Sequence, residues 1–203
     1  MTTVFILLAL AATLVGVGLF IRAVRAMLAT IRLGQPDPTR SGQARDRWMT
    51  LLREVGGHTR LSKWGIVGAA HWFVLVGFLS LFLTLVTAYG QLFNPEFALP
   101  LIGHFAPYEV FVEFIAWATG VGIVTLIGIR QVTRLVRPGR KSRFYGSTMW
   151  QAYYVEATIL IIVFCVIALR GLEGAFSGTT SWNWHHALSY PAVQAFEIGR
   201  AHV

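Results

Sequence analysis

Charge is scarce in this sequence. Of its 203 residues, 13% are Asp, Glu, Lys or Arg, about half the roughly 25% of a typical soluble domain. Cysteine is nearly absent: Cys165 is the single one. It sits within an apolar run, so this chain alone builds neither a disulfide framework nor a cysteine-ligated zinc or iron–sulfur site. Disorder is excluded, because a disordered chain needs low hydrophobicity and dense charge. Acidic residues number 9 against 17 basic ones, a formal charge of +8 with a pI near 10.4. A nucleic-acid binder would spread such an excess along a surface, whereas here it is confined to two short segments. What is abundant is apolar: 55% of the chain is hydrophobic and 13% aromatic, with a mean hydropathy of +0.60. The composition is that of an integral membrane protein, with no internal repeat and no low-complexity tract.

A membrane span needs about 20 mostly apolar residues, and four stretches qualify, at about residues 2–24, 64–90, 108–131 and 147–171. The first has no basic segment before it, and Arg22 and Arg25 follow it. That flank predicts a retained helix rather than a signal peptide. The second is uncharged from Trp64 to Pro95 and is expected to end near Tyr89-Gly90, before the Asn94-Pro95 turn. Glu113 alone interrupts the third from Val110 to Ile129, and Glu156 alone the fourth from Phe144 to Leu169. The expected fold is an all-α polytopic membrane bundle.

Nine basic residues lie between Arg22 and Lys63 and six between Arg130 and Arg143, which is 15 of the 17, while Gln91 to Tyr108 has none. By the positive-inside rule this predicts a multi-pass cell-membrane protein with its N-terminus outside and both basic loops cytoplasmic. Solvation and topology account for the basic runs. Loop one carries Trp48, Leu51, Leu52 and Val55 at helical spacing among Arg45, Asp46, Arg47, Arg53 and Glu54, which predicts a short surface helix after Pro38 and before Gly56-Gly57.

After Leu172 the chain reads as an exterior segment, and a next element begins near Ala187. Glu197 to Val203 match the in-frame translation of a widely used sequencing adapter. Residues 197–203 are therefore expected to be a non-native tail in which His202 has no functional weight, with a genuine short C-terminus as the competing reading. On the first reading the chain is a fragment of a five-span domain.

Three buried titratable residues stand out. His71 lies seven residues into the second span, roughly 10 Å below the boundary. An imidazole at that depth is either a ligand, for which haem iron is the usual membrane case, or an interhelical hydrogen-bonder to a serine, a tyrosine or a carbonyl. Gly68, Ala69 and Ala70 beside it leave room for a flat macrocycle or for a close-packed helix. Glu156 lies at a similar counted depth, preceded by Tyr153 and Tyr154. It either passes protons to a quinone, with Tyr153 extending the path, or pairs with an arginine of the first or third span. Glu113 reads as structural. His58 and His104 fall in loops and are expected to be solvated. His185 and His186 fall outside, beside Trp182 and Trp184, which read as interfacial anchors.

Three segments carry a resemblance: Leu61-Ser62-Lys63-Trp64-Gly65 leading to His71, Trp150-Gln151-Ala152-Tyr153-Tyr154-Val155-Glu156, and Ala168-Leu169-Arg170-Gly171-Leu172-Glu173. They resemble the N-terminal membrane domain of heterodisulfide-reductase-like iron–sulfur oxidoreductases of the electron-transfer-flavoprotein:quinone oxidoreductase type. That domain is similar to the gamma subunit of respiratory nitrate reductase, a five-helix cytochrome b. The resemblance covers residues 1–196 and its motifs are diffuse. It implies that His71 is an axial ligand of haem b, and that the opposing ligand comes from a fifth helix outside this chain. It also implies iron–sulfur clusters in a further domain or partner. Where two-haem relatives place a second histidine this chain has Leu81, which implies one haem. The implied function is electron passage between a cytoplasmic iron–sulfur domain, or an electron-donor flavoprotein, and the quinone pool, for which the fragment alone would be inactive. The alternative is a non-redox membrane anchor or small transporter.

Overall fold

The structure is a computed structural model describing residues 2–35, 37, 39, 42–94, 96–136, 139–141, 145–178 and 181–201; for 2, 134–136 and 198–201 it describes the backbone only. Among the described residues, six α-helices follow one another: α1 (Thr2–Arg32), α2 (Ala44–Leu51), α3 (Ile66–Gln91), α4 (Ala106–Val136), α5 (Met149–Phe176) and α6 (Tyr190–Ala201). Among the described residues there is no strand. Four helices, α1, α3, α4 and α5, are long and apolar enough to cross a membrane. The chain is an all-α, multi-pass membrane protein.

The helices outrun the expected spans at their polar ends. α1 continues past Arg22 and Arg25 to Arg32, and α4 past Arg130 to Val136. A helix keeps its backbone hydrogen bonds whether its surroundings are lipid or water, and cations near its C-terminal end complement its dipole. Helical structure therefore has no reason to stop where the hydrocarbon does. α3 starts two residues later than counted, because Leu61–Trp64 forms a 3-10 turn and Gly65 adopts φ +56°. That conformation costs glycine little, and it redirects the chain into α3. Loop one does contain its short helix, α2, followed by a π-helical turn at Leu52–Gly56.

Two compact units make up the chain: residues 1–57 with 88–96, and residues 58–87 with 97–203. In the first, the Thr13 hydroxyl of α1 meets the Tyr89 hydroxyl near the end of α3, while Thr13 also donates to the Ala9 carbonyl at 2.7 Å.

The second unit holds a core in which Leu81, Val112, Ile115 and Ala116 are buried under Phe73, Val76, Tyr108, Val166 and Ile167, drawn from α3, α4 and α5. Small residues set the helix approaches, as they must where lipid supplies no hydrophobic drive between helices. Gly77 faces Thr119 so closely that a Cβ would overlap the hydroxyl, which itself donates to the Phe73 carbonyl at 3.3 Å. A Cβ on Gly122 would stand 3.0 Å from the Ala70 carbonyl oxygen, and one on Gly120 3.3 Å from Val163. α6 packs on α5 in the same way, with Gly171 and Gly174 opposite Ala192 and Val193.

Candidate functional site

Polar side chains gather at the two ends of the second unit. At the basic end, Glu156 is 5% exposed, and its Oε1 accepts from Arg130 Nη2 of α4 at 2.7 Å. The same guanidinium lies over the Tyr153 ring, 5.9 Å from its centroid. Gln131 Nε2 donates to the Tyr153 hydroxyl at 2.9 Å. Of the two sequence readings of Glu156, the pairing with a third-span arginine is what the geometry contains. Tyr153 is beside it, but its hydroxyl is engaged by Gln131, not by Glu156. The second carboxylate oxygen, Oε2, is buried and accepts no hydrogen bond among the described residues. A buried acceptor in that condition costs free energy until a donor reaches it.

His71 is half-buried one and a half turns into α3. The interhelical partner considered for it is not there: among the described residues its ring makes no hydrogen bond. Its small neighbours serve packing. Gly68 lies against the Leu61 carbonyl of the preceding turn, and Ala70 meets Gly122, so only Ala69 is exposed. One unengaged imidazole on the flank of a span fits an axial haem ligand. Among the described residues no three His, Cys, Asp or Glu side chains gather where they could hold a metal ion.

The acidic end is more densely connected. Glu113 is 1% exposed and both its oxygens are doubly engaged. Oε1 accepts from Arg170 Nε at 3.2 Å and Ser189 Oγ at 2.7 Å, and Oε2 from the Leu188 and Ser189 amides at 2.7 and 3.0 Å. The carboxylate thus caps the N-terminus of α6, where orphan amides and the positive end of the dipole favour an anion. Arg170 also reaches Glu173 at 2.7 Å, Glu109 at 3.7 Å and the His185 carbonyl. Glu109 Oε2 meets His185 Nδ1 at 2.5 Å. Asn183 Oδ1 accepts from the His185 and His186 amides at 3.0 and 3.1 Å, shaping the turn before α6.

The structural reading of Glu113 matches these contacts. Glu109, Arg170 and the buried His186, 6% exposed, were not singled out. The signal was available: Glu109 and Glu113 are four residues apart on one helix face, and Arg170 is one of two basic residues outside the basic segments. Burial, and then the Arg170 charge, hold the His186 pKa below its ordinary 6.5. Trp182 and Trp184 are exposed, edge to face at 5.1 Å, as anchors would be. His104 is exposed as expected, whereas His58 is half-buried, with its carbonyl accepting from the Ser62 amide and hydroxyl at 2.8 and 2.9 Å. His202 lies outside the described residues, and residues 197–201 of the expected tail continue α6.

No known protein family matches the chain, and neither does any curated protein or solved structure.

Proposed function

We propose that this chain is a membrane electron-transfer module, passing electrons between a cytoplasmic iron–sulfur partner or domain and the quinone pool through one haem b held by His71. The observation that carries the reading is an imidazole within a membrane-spanning helix that makes no hydrogen bond to the described residues, a costly arrangement unless the ring has another task. The resemblance of the segments around His71 and Glu156 to quinone-linked membrane domains supports it. Haem supplies the one-electron redox chemistry; the opposing ligand and the clusters come from outside the described residues.

The chain's own residues prepare for a quinone at the basic end, taken as cytoplasmic on the charge distribution. Arg130 holds one oxygen of Glu156, and Tyr153 and Gln131 brace the guanidinium and the helix beside it. The buried Oε2 is left as acceptor for a quinol hydroxyl, which is where a proton would be exchanged as the quinone is reduced or the quinol oxidised.

In membranes carrying the full-length protein, His71→Ala removes the Soret absorbance, while His58→Ala and His104→Ala keep it. A Soret band of normal height in the His71 variant overturns the assignment. Glu156→Gln keeps the haem and slows quinone turnover; unimpaired turnover leaves the Arg130–Glu156 pair as a helix contact only. One observation favours a second reading, a non-redox anchor or small transporter: both intramembrane carboxylates are paired with arginines. Absence of any Soret band in the full-length wild type selects that reading.

A further inference from the structure

The helix of loop one has composition and exposure that fit one kind of surface. Neither α2 nor the π-helical turn after it has a buried residue. Yet Trp48 is 65% exposed, Leu52 59%, Val55 56% and Leu51 48%. At about 100° per residue, Ala44, Trp48, Leu51, Leu52 and Val55 fall within an arc roughly 100° wide. Arg45 and Arg47 stand at the two margins of that arc, and Asp46, Met49, Thr50, Arg53 and Glu54 occupy the remainder. An apolar stripe bordered by arginines is the pattern of a helix lying in the plane of a membrane interface, with long cationic side chains reaching up to the phosphates.

Placement supports this occupant. α2 lies between two consecutive spanning helices, twelve residues after α1 ends and fifteen before α3 begins, so both ends of its loop are tied to the same membrane face. From Arg22 to Lys63 there are nine basic residues against three acidic, Asp37, Asp46 and Glu54. That excess complements a leaflet rich in anionic headgroups, which attracts polybasic segments beside a span.

We propose that α2 and its π-helical turn form an in-plane anchor on anionic lipid, with Trp48, Leu51, Leu52 and Val55 in the acyl boundary and Arg45 and Arg47 at the phosphates. The anchor is independent of haem, and its test reads no redox property. Cys165→Ser leaves a cysteine-free chain, into which Leu52→Cys or Arg53→Cys places an environment-sensitive fluorophore. Both sites are exposed, so the substitutions leave the helix bundle untouched. The full chain is reconstituted in nanodiscs of phosphatidylcholine, with or without phosphatidylglycerol, at one copy per disc. At position 52 the dye shifts to the blue and is quenched by lipids spin-labelled near the headgroup, more strongly with phosphatidylglycerol and less at high salt; at position 53 quenching is several-fold weaker. Replacing Arg45 and Arg47 by Gln brings the phosphatidylglycerol result down to that of phosphatidylcholine alone. A water-exposed dye at position 52 in both lipids overturns the proposal. So does shielding that persists without lipid quenching, which would mean a protein contact, or shielding indifferent to lipid charge and to the arginines.

Discussion

Replacing Glu113 by alanine isolates what fastens α6 to the bundle. The substitution removes the acceptor of four hydrogen bonds, two of them from the Leu188 and Ser189 amides just before α6, and leaves Arg170 without its most buried partner. Breaking a buried ion pair from one side costs about 3–5 kcal/mol, and loss of a helix N-cap about 0.5–2 kcal/mol. The two overlap in one network and do not add. Arg170 keeps Glu173 and Glu109, which argues for the low end, about 3 kcal/mol. At roughly 1.4 kcal/mol per tenfold, the α6 amides should lose about 100-fold in hydrogen-exchange protection. Mass spectrometry on peptides covering 187–196 reads this, with peptides covering 112–123 as the internal control. Glu113→Gln should fall between, since its amide nitrogen no longer accepts from Leu188 and Ser189. A loss under about threefold in the alanine variant, or an equal loss across α4, would refute the assignment of Glu113 as a local fastener.

Gly77→Ala drives a Cβ into the Thr119 hydroxyl and should destabilise the α3–α4 contact by about 1–3 kcal/mol. Thr119→Ala in the same chain should recover part of that loss, and a double-mutant cycle that comes out additive would deny the contact. For His186, whose pKa is depressed, the sign is that of a base kept neutral by folding. Its contribution is complete above about pH 6.5 and is lost as the pH falls through that value, because the opened segment takes up a proton the docked one refuses. Exchange of residues 186–193, corrected for its intrinsic rate, should therefore rise between about pH 7 and pH 5.5. Arg170, Glu173, Glu113 and Glu109 all bear on that site, so the His186→Gln variant is needed to show that the dependence belongs to the imidazole.

The four spans were legible because the hydrocarbon demands long apolar helices and leaves few alternatives. Their ends were not, since Arg22, Arg25 and Arg130 continue helices that hydropathy alone would close. The register between spans was not legible either, since it is fixed by Gly77 on Thr119 and Gly122 on Ala70. Such contacts join positions distant in sequence. The pairing of Glu113 with an arginine was within reach of the pattern, and its second role as a cap was not. That role depends on where the chain returns after α5, and nothing between Phe176 and Tyr190 announces the return except Asn183 and the turn it caps.

The two polar ends are built on opposite principles, and the contrast says where chemistry belongs. At the acidic end both oxygens of Glu113 are saturated, Arg170 is shared among three carboxylates and a carbonyl, and the helix that completes the network buries Val193 and Ser189 almost entirely. Such a network rigidifies, and any ligand entering it would have to displace bonds already made. At the basic end the Arg130–Glu156 ion pair and the Gln131–Tyr153 hydrogen bond join α4 to α5, and one carboxylate oxygen is buried without a donor among the described residues. An incomplete network is a poor fastener and a good receptor, because a donor that arrives gains a hydrogen bond and displaces none. On that ground we propose Glu156, not Glu113, as the carboxylate that meets an arriving donor, although both are paired with arginine.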